Sequence, residues 1–253
     1  MKDRIIGALI VVVYALLMLK ATGIFYLFLV LFLGLQIIGE LLDITGLSEY
    51  RFIPFVIFAF SIVLFNHLHY REIIIPLTVL ALFFYLTIIE EIESKTFFPF
   101  TLTFIYVTVG IGSISTFNWK FLVFLISIVW SVDTLAYLTG RCFGKRKLAP
   151  SISPKKTVEG SIGGSLGGTA ISLFVGVKLG IINLSLLTIG ILFALTIISQ
   201  IGDLFESYLK RYFGVKDSGS TIPGHGGVFD RLDSSIAVAP FLLMFLNSGI
   251  KLF

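Results

Sequence analysis

Between Ser207 and Asp233 the chain reads SYLKRYFGVKDSGSTIPGHGGVFDRLD, which gathers Lys210, Arg211, Lys216 and Arg231 with Asp217, Asp230, Asp233 and His225. Asp230 and Asp233 stand three apart, so on a helix they share a face and can reach one ion. Acids in a first helical turn are also ordinary capping residues. What favours a metal is Asp203, a further acid on the preceding apolar segment, with Arg231 between the two later acids. Magnesium is well served by a couple of carboxylates plus substrate phosphates, and Asp203, Asp230 and Asp233 form such a set. The segment Ile222-Pro223-Gly224-His225-Gly226-Gly227 is built for tight turns, where glycine amides can line a concavity that accepts anions. Acids, bases and the amides of Gly226 and Gly227 together describe a site for a polyphosphate and its metal.

Three upstream features point the same way. Asp133 lies inside the apolar run FLVFLISIVWSVDTLAYLTG, with Tyr137 one turn further on the same face. A carboxylate at membrane depth costs about 2.5–3.5 kcal/mol and usually faces an interior site, although this one lies near the end of its segment, where an interface role would suffice. The following loop carries Arg141, Lys145, Arg146, Lys147, Lys155 and Lys156 against one acid, Glu159. Attraction to anionic lipid is one reading of that loop. A sharper one takes Ser153-Pro154 as the cap and first turn of a helix, which would set Lys155 and Lys156 at an anion-binding N-terminus. Finally, Ser199, Asp203, Glu206, Ser207 and Lys210 trace one face of a helix that is apolar elsewhere.

The elements that must hold these residues are hydrophobic. Of 253 residues 57% are hydrophobic and 13% charged, with a mean hydropathy of +1.01. Soluble domains carry about 25% charged residues, so this chain cannot cover itself with a water-facing surface. Nine segments approach the length of about 20 apolar residues that a spanning helix needs: 5–19, 23–42, 52–68, 73–89, 98–113, 120–139, 160–178, 184–206 and 233–250. The expected fold is an all-α polytopic membrane protein with about nine spans. Residues 1–97 would be four scaffold helices and 98–253 five helices with the chemistry-bearing loops, within one membrane domain. Nine spans put 14 of the 19 Lys and Arg residues on the side of the N-terminus and the Ser207–Asp233 connector, which the positive-inside rule makes cytoplasmic. The net charge of +4 is read for orientation, not nucleic-acid binding. Cys142 is the only cysteine, so no internal disulfide forms.

Other features have plainer explanations. His67 and His69, without neighbouring acids or cysteines, read as a solvated pair, and Glu90, Glu91, Glu93 and Lys95 as a solvated charge run. Glycines at 160, 164 and 168, and at 163 and 167, recur every four residues, a spacing that lets helix backbones approach closely. The first four or five helices otherwise show only packing and anchoring signals.

The pattern Ser207-x-Leu209-Lys210-Arg211-x4-Lys216-Asp217-x-Gly219-x2-Ile222-Pro223-x-His225-Gly226-Gly227-Val228-x-Asp230-Arg231-Leu232-Asp233 resembles the signature of the CDP-diacylglycerol synthase (phosphatidate cytidylyltransferase) family at every fixed position. The resemblance continues upstream through Asp133-Thr134-x-Ala136-Tyr137, Gly140-Arg141, Gly144-Lys145, the Ser153–Gly160 segment and Gly202-Asp203, covering roughly the C-terminal half. It implies a Mg²⁺-dependent reaction of CTP with phosphatidate, a membrane lipid, giving CDP-diacylglycerol and pyrophosphate in phospholipid biosynthesis. It also implies an inner-membrane location with catalytic loops in the cytoplasm, and it suggests a homodimer. Under that reading Asp203, Asp230 and Asp233 hold Mg²⁺, with room for a second cation and Asp217 as a further candidate. Lys155, Lys156, Lys210, Arg211, Lys216 and Arg231 bind the triphosphate or the lipid phosphate. Asp133 adds a ligand or orients a lysine, and His225 hydrogen-bonds a phosphate. The attacking phosphate is already anionic, so the task is alignment and charge screening, not proton abstraction.

Two alternatives use similar parts. A CTP-dependent polyprenol or phytol kinase would take an alcohol acceptor and release CDP. A secondary transporter would place its charges near the midplane, preferably in repeated halves, whereas these crowd one end and no repeat is visible. The orientation is testable: a cysteine at position 218 should resist a membrane-impermeant maleimide added outside intact cells and react once the inner face is opened. Labelling from outside would reverse the topology.

Overall fold

The structure, a computed structural model, describes residues 2–67, 74–88 and 93–247. His69, Arg71, Glu90, Glu91 and Lys251 lie outside them, as do the ends of the segments expected at 73–89 and 233–250. Among the described residues nine α-helices fall on the nine apolar segments: α1 (Lys2–Lys20), α2 (Gly23–Ile44), α3 (Phe52–His67), α4 (Ile74–Ile88), α5 (Ser94–Ser115), α6 (Trp119–Phe143), α7 (Val158–Lys178), α8 (Leu186–Tyr212) and α9 (Phe229–Asn247). Five of these, α2 and α5 to α8, are long and apolar enough to cross a membrane, while α3 and α4 are shorter apolar helices. The all-α polytopic class therefore holds, and among the described residues length and composition mark five candidate spans. Among the described residues one element departs from it, an antiparallel hairpin of β1 (Lys147–Ala149) and β2 (Ser153–Thr157). Large apolar side chains such as Phe28, Phe84, Phe174 and Met244 are more than half exposed, as a lipid-facing exterior requires.

The chain forms two compact units: residues 1–116 with 209–232, and residues 117–208 with 233–253. In the first unit α5 packs with α2, α3 and α4. In this first unit Phe58 of α3 meets Phe104 of α5 edge to face, with ring centroids 6.2 Å apart. Gly34 of α2 leaves the space that the Phe58 ring occupies. The buried Tyr26 hydroxyl donates to the Ile114 carbonyl at 2.6 Å, tying α2 to α5. The connector returns to the same unit after α8 ends. There Gly214, at φ 72°, turns the chain, and the Val215 N–H closes back on the Lys210 carbonyl at 2.8 Å, a left-handed glycine stop.

In the second unit α6 and α7 pack backbone to backbone along the glycine stripe. A methyl on Gly160 would stand 2.7 Å from the Ala136 carbonyl, and one on Gly164 would stand 2.8 Å from the Ala136 methyl. Gly163 and Gly167 likewise leave room for Thr139 and Leu135. Gln200 of α8 donates to Ser165 of α7 at 2.7 Å. Gly202 admits α9, where an added methyl would meet the Asp233 carbonyl at 3.1 Å.

The stripe makes a graded prediction. Gly164→Val should destabilise the protein by about 1–3 kcal/mol through overpacking, read as a lower melting temperature in detergent. Gly190 of α8 has nothing within 4 Å of an added methyl, so Gly190→Ala should leave that temperature unchanged or raise it.

Candidate active site

The second unit contains a cavity of about 400 Å³ whose lining includes Asp133, Tyr137 and Arg141 from α6, Lys155 and Lys156 from β2, and Gln200 and Asp203 from α8. The hairpin explains how the lysines are presented. Alternate residues of a strand face opposite ways, so Lys155 is exposed and Lys156 half-buried. Lys156 forms an ion pair with Asp203, each side chain 28% exposed. The Ser207 hydroxyl lies 3.5 Å from the other Asp203 oxygen. Asp233 stands within electrostatic reach of Asp203, Asp133 and Lys156. Gly202 sets this approach, since its missing side chain brings the α9 backbone at Asp233 and Ser234 against α8 beside Asp203.

The expected helix-capping role of Ser153-Pro154 is not what forms. Those residues begin β2, and Thr157 is the cap, its hydroxyl accepting from the Gly160 N–H at 3.1 Å. Lys155 and Lys156 therefore reach the cavity from a strand, not from a helix N-terminus. Glu159 in the first turn of α7 instead accepts the Lys145 and Arg146 N–H groups at 3.0 and 3.1 Å and pins the base of the hairpin.

In the first unit a second polar cluster surrounds Glu40 of α2, which is only 5% exposed. Its Oε1 accepts from the Thr221 hydroxyl and the Val228 N–H, both at 2.7 Å, and its Oε2 from the Phe229 N–H at 2.9 Å. The Ser218 hydroxyl lies 2.8 Å from Glu40 Oε2 and 3.0 Å from Asp230 Oδ2, so its single proton bridges the two carboxylates. Asp230 also accepts from the Ser218 and Gly227 N–H groups at 2.9 and 2.8 Å and from Lys210 Nζ at 2.5 Å. The turn itself closes through Ile222 N–H to the Gly226 carbonyl at 2.9 Å. It requires Gly226 at φ 82°, where a methyl would also stand 2.6 Å from Asp230. On the other side Gly7 of α1 leaves space for Pro223 and His225.

The expected site residues are distributed over both units. Among the described residues no three or more His, Cys, Asp and Glu side chains converge where a metal ion could be held. Asp203 and Asp233 approach one another in the second unit, whereas both oxygens of Asp230 are engaged in the first. The Gly227 N–H, expected to face an anionic ligand, donates to Asp230 instead. Buried amides without water must find acceptors, and the chain's own carboxylates supply them. Arg211 donates to the Val215 carbonyl at 2.8 Å and Arg231 to the His225 carbonyl at 3.1 Å. The His225 ring nitrogen lies 3.3 Å from the Pro223 carbonyl, while Lys216 and Asp217 are exposed. Glu40, Arg141 and Gln200 were missed as site residues. Glu40 carried a readable signal, an acid inside an apolar helix, the same argument that singled out Asp133. Ser218 is buried, so the exposed Ser220, in a chain whose exposed Cys142 is replaced by Ser, is the better position for the labelling cysteine.

The chain is thus a polytopic helical membrane protein whose cavity sets Arg141, Lys155 and Lys156 beside the acids Asp133 and Asp203. The chain belongs to the cytidylyltransferase family, whose model matches residues 2–248. The N-terminal helices are thus included, beyond the C-terminal half where the signature lies. It is 47% identical over 135 residues to a phosphatidate cytidylyltransferase of Brucella abortus, covering 51% of this chain and 47% of that protein. It is also 47% identical over 131 residues to one of Staphylococcus epidermidis, covering 50% and 49%, and 43% identical over 147 residues to one of Staphylococcus saprophyticus, covering 54% and 55%. The match spans about half the length of these curated relatives.

The two ion pairs predict different stabilities. Lys210 and Asp230 have side chains only 11% and 6% exposed, so Asp230→Ala should cost about 3–5 kcal/mol by stranding a buried charge. Arg51 and Asp43 pair with side chains 46% and 52% exposed, and Arg51→Ala should cost less than about 1 kcal/mol. Melting temperatures of the two variants in one detergent provide the comparison.

Proposed function

We propose that the chain is a phosphatidate cytidylyltransferase, joining CTP to phosphatidate to give CDP-diacylglycerol and pyrophosphate at the cytoplasmic face of the inner membrane. The observation that carries this reading is the Lys156–Asp203 ion pair in the cavity lining, with Asp233 beside it. Arg141, Lys155 and Lys156 supply positive charge to a space of about 400 Å³, within the range of about 300–1,000 Å³ typical of ligand pockets. Both substrates are anions, so these side chains lower their mutual repulsion and hold them in line. An oxygen of the lipid phosphate attacks the α-phosphorus of CTP. The new P–O bond forms as the bond to the bridging oxygen breaks, and pyrophosphate leaves with that electron pair. No side chain has to remove a proton.

The donor set fits Mg²⁺. Two carboxylates held near each other against their own repulsion, with substrate phosphates completing the shell, match its preference for few protein ligands. Asp203 and Asp233 would hold it, and Asp133, in the cavity lining, would be the further ligand or would orient a lysine. Bound there, the metal would neutralise charge on the phosphates. Asp230, which binds Lys210 and the connector in this structure, would be the third carboxylate of the set.

Purified protein in lipid–detergent micelles, given labelled CTP, phosphatidate and Mg²⁺, should form CDP-lipid and pyrophosphate in equal amounts and stop when EDTA is added. Release of CDP with a phosphorylated alcohol would establish the lipid kinase instead. Asp203→Asn should lower kcat by about 10²-fold or more at an unchanged melting temperature, and near-normal turnover would remove Asp203 from the site.

A further inference from the structure

We infer that Glu40, contributed by a helix of the N-terminal scaffold, is a positioning residue for the connector that bears Asp217, Asp230 and Arg231. The inference rests on the cytidylyltransferase reading for what the connector does, and on geometry alone for what Glu40 does to it. Glu40 is 5% exposed and lies 178 to 189 residues from its partners in sequence. It binds the connector at three places: the Ser218 hydroxyl, the Thr221 hydroxyl, and the successive N–H groups of Val228 and Phe229 where α9 begins. The carboxylate thereby does for α9 what a capping side chain does from within the same segment, filling first-turn donors. Hydrogen bonds to an ionised acceptor are the stronger kind, and here they add to the connector's own Ile222–Gly226 and Asp230 contacts an anchor on another helix. The close fit continues around it. A methyl on Gly219 would stand 3.0 Å from Glu40 Cγ, and Gly227 sits against both the carboxylate and the Ser218 hydroxyl. Through the shared Ser218 proton, Glu40 is joined to Asp230 and so to Lys210.

The two oxygens of Glu40 are not interchangeable with an amide. Oε1 receives the Val228 N–H and Oε2 the Phe229 N–H. Glutamine in either orientation turns an NH₂ group toward one of these donors, so an isosteric, uncharged replacement should release one side of the connector. Packing alone would tolerate it.

The test compares wild type, Glu40→Gln, Thr221→Val and the double variant as full-length chains in lipid–detergent micelles. Amide hydrogen exchange at Gly227, Val228 and Phe229 should rise about 10-fold or more in Glu40→Gln, while amides of α7 keep their protection. On the folded, monodisperse fraction kcat for CDP-lipid should fall about 10²-fold, with KM for CTP changed less than about two-fold. Thr221→Val should be milder, and its effect should shrink in the Glu40→Gln background, since one contact cannot be lost twice. Wild-type exchange in Glu40→Gln, wild-type kcat despite faster exchange, or strictly additive effects would each overturn the inference. Should Glu40→Gln fail to fold, Thr221→Val carries the test: faster exchange at Val228 with a lowered kcat supports it, and no change at either overturns it. If the wild-type chain makes no CDP-lipid, the cytidylyltransferase reading fails, and the exchange data alone then uphold or overturn the hold of Glu40 on the connector.

Discussion

A carboxylate buried in an apolar protein must be surrounded by donors, because the cost of removing it from water exceeds what one partner returns. Glu40 meets that condition, and most of the connector's shape follows from it. Val228 and Phe229 have to present their N–H groups to one side, Ser218 and Thr221 have to turn their hydroxyls the same way, and the intervening glycines bend as needed. Asp230 meets the condition a second time with Lys210, Ser218 and Gly227. A segment that looks flexible by composition is constrained by the two acids it encloses.

The second unit solves a related problem by backbone proximity. Close packing of α7 on α6 through its glycines, and of α9 on α8 at Gly202, brings charged side chains from three elements to one cavity. Small residues are placed where helices cross, and the charges sit near those crossings. Asp203 and Asp233 are neighbours because nothing but backbone separates their helices at that point. Their repulsion is moderated by Lys156, which is available because β2 delivers it to Asp203 from outside the helical packing.

Much of this is legible in the amino-acid sequence. The nine apolar segments coincide with nine helices among the described residues, since long runs of apolar residues leave a chain in lipid little alternative to hydrogen-bonding within itself. The glycine periodicity in α7 correctly announced close packing. The polar face of α8 is the buried one, with Ser199 and Glu206 almost fully enclosed. What could not be read was pairing at a distance. Asp230 and Asp233 stand three apart in sequence, yet their neighbours differ: Lys210, Ser218 and Gly227 for the first and Asp203 for the second. The hairpin was hidden for a different reason. Ser-Pro can start a helix or a strand after a turn, and the cap is Thr157, four residues beyond Ser153.

That hairpin has a consequence for how the loop can vary. Thr157 is wedged against Gly140 and Gly144 while it caps α7, so the strand is anchored at its end nearest the helix. Lys156 is its immediate neighbour, and the parity of a strand decides which of two adjacent side chains turns inward. The turn at 150–152 is therefore free to lengthen or shorten, because it lies beyond the anchor. A single residue inserted between Lys156 and Thr157 would itself take the place facing Asp203 and turn Lys156 outward, parting the ion pair.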